Sequence, residues 1–186
     1  MNITTRPLNQ DEAVRLLSST PAPWTHIFSF SIRTGLRLGD IIRLRISDIG
    51  PSSISIIEEK TGKPKTIRLT DPIRNDIAFF RNPKNREALG MYYEKRPDNV
   101  FPYGDPSTYR KALIRYCILA MIDLDRVSFH SLRKTAATII FNELGISHAS
   151  QFLGHSRVST TMRYIEIDQV EISSIMDIHL HMGGSQ

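Results

Sequence analysis

Apolar residues recur at helical spacing over most of the chain, in segments that prolines and glycines separate. The first segment follows Asn9, and Glu12 three positions later completes the pattern of a capping box. The second covers residues 24–32 and is followed by Gly35, a residue type that commonly caps the end of a helix. Further helices are predicted at 40–44, from 71 onwards, at 107–122, 128–144, 149–153 and 158–164, and in the apolar stripe after 164.

Two short segments alternate in polarity and therefore predict strands. Residues 53–57 and 65–69 have this alternation, and the turn-forming residues 61–64 lie between them. They predict a hairpin that carries several lysines. Residues 82–106 are rich in proline and glycine and predict a long loop with at most short regular pieces. The predicted fold class is α+β, mainly helical, with a small antiparallel β-sheet.

The composition is that of an ordinary globular chain. Its 186 residues fit one domain over residues 1–186, and hydrophobic and charged residues make up 40% and 23%. The apolar runs are far shorter than the roughly 18 residues of a membrane helix. Residues 1–7 lack the features of a secretory signal, so we expect a cytoplasmic protein. The single cysteine, Cys117, excludes an intramolecular disulfide and a zinc site of several thiolates within one chain.

The charge balance favours an anionic partner. Lys and Arg number 24 against 19 Asp and Glu, which gives a net charge of +5. Nucleic acid is the commonest partner of this kind, but many basic proteins bind none. Whether the partner is nucleic acid must therefore be judged from the positions of the cations in the sequence.

Three segments far apart in the sequence place basic or imidazole groups among apolar residues at the ends of predicted elements. They are residues 34–40, residues 59–63 and the stretch 130–164. Each alone is compatible with a structural role, because solvated turn arginines, exposed hairpin lysines and buried histidines are all common. Their order and spacing carry more information than any one of them.

The order is Arg37, Lys60 in the hairpin, the H-x-x-R pair His130 and Arg133, then Leu153-Gly154-His155, and Tyr164 after Thr160-Thr161. The separations are 23 residues from Arg37 to Lys60, 25 from His130 to His155 and 9 from His155 to Tyr164. This pattern resembles the catalytic domain of the tyrosine recombinases, the integrase group of site-specific DNA recombinases. The resemblance covers about residues 8–178 and implies that family's catalytic fold.

The resemblance implies a reaction at a DNA phosphodiester. Arg37 and Arg133 are the expected clamp on the scissile phosphate, because guanidinium forks suit the charge that develops on its oxygens. His155 is expected to add a further hydrogen bond. Tyr164 is the expected nucleophile, which forms a 3′-phosphotyrosyl link and leaves a free 5′-hydroxyl. His130 is expected to accept or position the phenol proton.

The resemblance also assigns supporting roles. Lys60 is the expected proton donor to the leaving 5′-oxygen, with Lys63 and Lys65 as nearby competitors. Asp40 stands where the family often has Glu, and we expect it to orient Arg37 through a salt bridge. No metal ion or other cofactor is implied. Further basic residues either contact phosphates along the duplex or form a solvated face: Arg43, Arg45, Arg110, Arg115, Lys134, Arg157 and Arg163.

Double-stranded DNA with specific recombination sites is the expected partner, bound by a homo-oligomer from dimer to tetramer, with accessory DNA-bending proteins and in the nucleoid. Residues 165–186 form a tail whose apolar stripe suits docking on a neighbouring subunit or on the same chain. The few residues before Leu8 are too short for the N-terminal helical domain that many family members carry. We therefore expect a single catalytic domain, which is either excised from a longer protein or a small single-domain member of the family.

Two alternative functions remain open. Asp48 followed by Glu58, Glu59 and Lys60 resembles the D…E-x-K arrangement that binds Mg²⁺ in restriction-type nucleases. A decayed recombinase would bind DNA as a regulator without cutting it. The nuclease leaves the segment from His130 to Tyr164 unexplained, and the regulator leaves a complete set of motif elements without a use.

Overall fold

Residues 5–154, the part of the chain that the computed structural model describes, form helices and one two-stranded antiparallel sheet. The helices are α1 (Gln10–Ser19), α2 (Trp24–Thr34), α3 (Leu38–Arg43), α4 (Asp71–Arg81), α5 (Pro83–Ala88), α6 (Gly90–Tyr93), α7 (Pro106–Leu119), α8 (Phe129–Leu144) and α9 (Ile146–Leu153). A 3₁₀ turn at Ile46–Asp48 precedes the strands β1 (Ser53–Ile57) and β2 (Pro64–Arg68).

The predicted class is confirmed by this architecture, which is mostly helical with a small antiparallel sheet. The helix predicted at 158–164 and the apolar stripe after it lie outside the described residues. No helix within residues 5–154 is both long enough and apolar enough to cross a membrane.

The predicted end signals of α1 and α2 are confirmed. The side chain of Asn9 accepts the N–H of Glu12 at 2.8 Å, and the Glu12 carboxylate accepts the N–H of Asn9 at 2.9 Å. Helix α2 ends at Gly35, whose φ of 59° lies in the left-handed region that glycine adopts without steric cost. The chain therefore turns sharply just before Arg37, the residue that precedes α3.

The region 82–106 contains short regular pieces, as the sequence allowed: α5 has six residues and α6 has four. The side chain of Asn82 accepts the N–H of Lys84 at 3.0 Å, and Pro83 takes the first helical position. A proline costs little there because the N–H that it lacks would have no partner within the helix. The residue that suggests a loop in the sequence is thus the start of a short helix.

The register of the hairpin decides which of its side chains face the protein. Ile54 pairs with Ile67, and Ile56 pairs with Lys65. Strand β2 begins at Pro64, one residue earlier than predicted, since the first position of a strand tolerates a proline. Lys65 and Ile67 share the half-buried face of β2, whereas the residues between and beside them are exposed. One lysine of the hairpin is thereby directed inward.

Helix α2 lies at the centre of the core, packed against α1, α4 and α8. Phe28 and Phe30 of this helix are fully buried. The ring of Phe30 meets Phe101 at a centroid distance of 4.9 Å, and that of Phe28 meets Phe129 at 6.3 Å, both in tilted edge contacts. Because Phe129 begins α8, this packing fixes the first turn of α8 relative to the end of α2.

Gly35 is also the point at which α9 approaches α2. A Cβ atom at Gly35 would lie 2.5 Å from Cε1 of Phe152 in α9. Gly62, in the hairpin turn, has a similar φ of 64°, but a Cβ atom there would meet nothing within 4 Å. The two glycines share a backbone conformation and differ in the space around them.

We predict that Gly35→Ala destabilises the protein by roughly 1–3 kcal/mol more than Gly62→Ala. A left-handed alanine costs about 1–2 kcal/mol at either position, whereas only the alanine at position 35 forces Phe152 and α9 to move. Urea unfolding followed by circular dichroism measures both free energies of unfolding. Equal losses in the two variants would show that contact with Phe152 does not constrain this turn.

Candidate active site

The buried guanidinium of Arg133 joins three separate parts of the chain. Arg133 lies in the second turn of α8 with 1% of its surface exposed. Its Nη1 donates to the carbonyl oxygen of Gly35, and its Nη2 donates to the carbonyl oxygen of Leu153 at 2.8 Å. Charged donors make stronger hydrogen bonds than neutral ones, particularly away from water. The turn before Arg37 and the end of α9 are therefore held against α8.

Arg37 is paired with Glu58, the residue that follows β1. Its Nη1 lies 2.7 Å from Oε1 of Glu58, and the side chains are 19% and 2% exposed. The second oxygen of Glu58, Oε2, accepts a hydrogen bond from Oγ1 of Thr61 at 2.8 Å. A single buried carboxylate thus connects the arginine to the turn that carries Lys60.

The environment of Glu58 keeps it ionised. Burial alone raises its pKa, but the hydrogen bond from Thr61 and the positive charge and hydrogen bond of Arg37 lower it further than burial raises it. The pKa of Glu58 is therefore below its ordinary value. Arg37 faces a full negative charge at neutral pH.

The predicted salt bridge between Asp40 and Arg37 is wrong. The Asp40 carboxylate, also buried, accepts the N–H of Glu59 at 2.9 Å and lies 3.6 Å from Nη2 of Arg43. Arg37 has an extended backbone ahead of α3, with φ −71° and ψ 150°, so its side chain does not share the helix face of Asp40. Asp40 instead holds the backbone next to Glu58, and Glu58 contacts the arginine.

His130 occupies the first turn of α8 and is neutral at physiological pH. Its burial lowers its pKa first, and the charges of Arg133, Lys134, Arg37 and Lys60 lower it further, to about 4. These charges act on the ring because Arg37 and the hairpin turn lie near the start of α8. A neutral imidazole can accept a proton from a phenol, which an imidazolium cannot do.

The three hairpin lysines lie at different depths. Lys60 and Lys63 are exposed, at the turn and just after it. Nζ of Lys65 is enclosed, makes no hydrogen bond within the described part of the chain, and lies 5.3 Å from the ring centroid of Phe152. The resemblance favours Lys60 as the proton donor, and its exposed place at the turn is compatible with that role.

The described structure thus brings together Arg37, Lys60, His130 and Arg133 from three places in the sequence. Gly154 ends α9 with φ 69° and leads directly to His155. His155 and Tyr164, the other two predicted site residues, lie outside the described residues. The roles of all six remain predictions.

Two residues of the site were missed or undervalued by sequence reasoning. Glu58 appeared only as a possible metal ligand, and Lys65 only as a competitor of Lys60. Lys65 carried a usable signal, because it alternates with Ile67 and Leu69 and so belongs to the inward face of its strand. Glu58 carried none, since its contact with Arg37 bridges 21 positions.

The arrangement of carboxylates does not support the nuclease alternative. Both oxygens of Glu58 accept hydrogen bonds, from Arg37 and Thr61, and Asp48 accepts the N–H of Arg45 at 2.8 Å. The buried carboxylates near the hairpin pair with neighbouring arginines, Glu58 with Arg37 and Asp40 with Arg43.

The chain belongs to the phage integrase family, whose model matches residues 6–171. The tyrosine recombinase XerC of Caldanaerobacter subterraneus subsp. tengcongensis is 25% identical over 175 residues, covering 89% of this chain and 48% of that protein. The crystal structure of XerA recombinase is 25% identical with a TM-score of 0.69, over 96% of this chain and 65% of that one. A lambda integrase tetramer bound to a Holliday junction shares the fold, with a TM-score of 0.63 and 21% identity over 91% of this chain and 52% of that one.

These comparisons confirm the predicted fold class as that of the tyrosine recombinase catalytic domain. The chain spans about half the length of the XerC relative and less than two thirds of the XerA chain. Arg37, the hairpin and the segment from His130 to Tyr164 all fall inside the matched residues.

We predict that Glu58→Gln lowers the free energy of unfolding by about 1–3 kcal/mol, because the amide nitrogen would face a donor of Arg37 or Thr61. Glu59→Gln is the matched control: its side chain is 57% exposed and pairs only at the surface, with Arg43. It should cost less than about 0.5 kcal/mol. Denaturant unfolding at pH 7 separates the two, and equal stabilities would show that the Arg37–Glu58 pair contributes nothing.

The same pair of variants gives a pH test. Folding lowers the pKa of Glu58 from 4.5, so its stabilising charge is present above pH 4.5 and is lost as the pH falls through the lower folded value. The stability gap between the wild type and Glu58→Gln should therefore shrink on acidification. A gap that stays constant down to pH 3 would contradict an ionic role.

We predict that His130 makes the wild type lose stability as the pH falls from 6.5 toward 4. The unfolded chain binds a proton on this residue near pH 6.5, whereas the folded protein does so only near pH 4. As the pH falls over this range, the melting temperature of His130→Asn should therefore rise relative to that of the wild type. His148→Asn, a change at an exposed histidine of α9, should follow the wild type. Parallel curves for all three proteins would contradict the prediction.

Proposed function

We propose that this chain is the catalytic domain of a tyrosine-type site-specific DNA recombinase. It would cut and rejoin DNA strands through a 3′-phosphotyrosyl intermediate, with neither metal ion nor ATP. The observation that carries the proposal is the convergence of Arg37, His130, Arg133 and the Lys60 turn in one site, in a chain whose family match also includes Tyr164.

Phosphate binding is the first step that this site supports. Arg37 is held in place by Glu58 and is partly exposed, so phosphate oxygens can reach its guanidinium. Arg133 places a second permanent charge beside it, and His155 would follow directly on the anchored end of α9. Charge that develops on the equatorial oxygens during attack meets donors already in place, which is how such sites lower a barrier.

The chemical step is a displacement at phosphorus. The phenol oxygen of Tyr164 attacks, a phosphorus–oxygen bond to tyrosine forms, and the bond to the 5′-oxygen breaks. Ionising a free phenol at pH 7 costs about 4 kcal/mol, so an acceptor and nearby cations are needed. Neutral His130 would accept or position the phenol proton, and Lys60 would give a proton to the 5′-oxygen.

Rejoining is the reverse of cleavage. A 5′-hydroxyl attacks the phosphotyrosyl link, the tyrosine leaves, and the protons return by the same groups. When that hydroxyl belongs to another strand, the outcome is recombination. The phosphotyrosyl link conserves the energy of the broken bond, so no ATP is consumed.

The proposed partner is double-stranded DNA that carries specific recombination sites. A lambda integrase, which shares the fold, has been seen as a tetramer on a Holliday junction, and we propose that this chain also works as a dimer or tetramer on DNA. The proposal includes accessory DNA-bending proteins and a tail, residues 165–186, that contacts a neighbouring subunit. It also places the protein on DNA in the nucleoid.

The test is a suicide substrate: duplex DNA flanking the gene, nicked close to the scissile phosphate so that the short fragment with the 5′-hydroxyl diffuses away. We predict a heat- and detergent-stable protein–DNA adduct that forms in EDTA and is abolished by Tyr164→Phe. Tyr92→Phe, a change at a half-exposed tyrosine outside the motif, should retain it. Gel electrophoresis measures the adduct.

Each of the other results would contradict part of the proposed function. Specific DNA binding without an adduct, in the wild type, would indicate the non-catalytic regulator. Cleavage that EDTA abolishes, with no protein left on the product, would indicate a metal-dependent nuclease. An adduct that survives Tyr164→Phe would refute the assignment of the nucleophile.

A further inference from the structure

Lys65 differs from the other lysines of the hairpin in having an enclosed amine that has no hydrogen-bond partner among residues 5–154. The pairing of Lys65 with Ile56 turns the side chain toward the protein, and Nζ is buried next to the ring of Phe152. Burying an ammonium without a hydrogen bond is costly. Nothing in the fold of the hairpin requires it, since an apolar residue would continue the inward face formed by Ile67 and Leu69.

The surroundings of this amine are those of the phosphate site. The charges that act on it come from Arg37 and Asp40 at α3, Glu58 after β1, and Arg133 on α8. A cavity of about 700 Å³ opens beside it and reaches Glu58, Phe152 and Gly154, and Arg33, Lys63 and Arg68 also line it. Lys65 is thus the third cation of a buried cluster that contains two carboxylates.

We propose that Lys65 is a positioning residue for DNA cleavage. Its ammonium forms an ion pair with the carboxylate of Glu58 when the scissile phosphate binds Arg37. The inference rests on the proposed function. In the free protein, Glu58 is bonded to Arg37 and Thr61, and Lys65 has no ion-pair contact in the described part of the chain. A phosphate on Arg37 competes with Glu58 for the same guanidinium, and the ammonium of Lys65 is the neighbouring charge that can hold the displaced carboxylate.

The protonation of Lys65 gives this role a measurable signature. Burial and the charge of Arg133 lower its pKa to about 8, with Arg37 acting in the same direction and Glu58 and Asp40 opposing. The ammonium fraction in the free protein therefore falls about tenfold between pH 7 and pH 9. Rates measured with DNA well below saturation report this free form.

The experiment compares wild type, Lys65→Met, Lys65→Arg and Lys84→Met on the suicide substrate, from pH 7 to pH 9, with DNA well below saturation. Lys84→Met is the matched control at an exposed lysine of α5. At pH 7, Lys65→Met should form the covalent adduct at least tenfold more slowly than wild type, and the two rates should converge by pH 9. Ionisation of Tyr164 affects both proteins alike and cancels in the ratio.

Two further readouts separate positioning from structural support. The melting temperature of Lys65→Met should be no lower than that of the wild type, because an apolar side chain of similar length replaces a buried charge that has no partner among the described residues. Lys65→Arg, which stays charged throughout, should keep the adduct rate near that of wild type at pH 7 and exceed it by about tenfold at pH 9.

The outcomes are distinct. Lys65→Met at the wild-type rate, or a rate ratio that does not change with pH, overturns the inference and leaves the proposed function standing. Loss of rate together with loss of melting temperature shows a structural lysine and also overturns it. Absence of any Tyr164-dependent adduct in the wild type overturns the proposed function and this inference with it.

Discussion

The buried guanidinium of Arg133 is the contact on which the candidate site depends. It donates hydrogen bonds from α8 to the carbonyl oxygens of Gly35 and Leu153. In the sequence, Gly35 stands two residues before Arg37, and Leu153 stands two residues before His155. The hydrophobic core sets the distance between α2 and α8 through Phe28 and Phe129. The arginine thereby fixes the turn that leads to Arg37 on one side and the end of α9 on the other.

The second constraint is electrostatic. The site that we propose for a phosphate keeps several cations close together, and their mutual repulsion has to be offset. Glu58 and Asp40 do this from buried positions, one by contact with Arg37 and the other through the backbone at Glu59. Burial first, and the neighbouring positive charges after it, lower the pKa of His130 and that of Lys65.

Sequence reasoning succeeded where the signal is local and failed where it is not. The capping box at Asn9, the glycine that ends α2 and the strand pairing all follow from residues a few positions apart. Pro83 begins one of the short pieces allowed for in the predicted loop, but the sequence did not locate that piece, because a proline can begin a helix as well as interrupt one. The family resemblance assigned Asp40 as the partner of Arg37, whereas the extended backbone at Arg37 turns its side chain to Glu58. No periodicity encodes such a contact.

The pairing of β1 with β2 has a consequence for how the protein tolerates change. Because neighbouring strand residues face opposite sides, deleting one residue between Pro64 and Arg68 would exchange the inward and outward sets and expel the amine of Lys65 into water. Extra residues at the open turn around Gly62 would leave the ladder untouched. Natural insertions and deletions in this hairpin should accordingly occur at its turn, whereas the number of residues in β2 should stay the same.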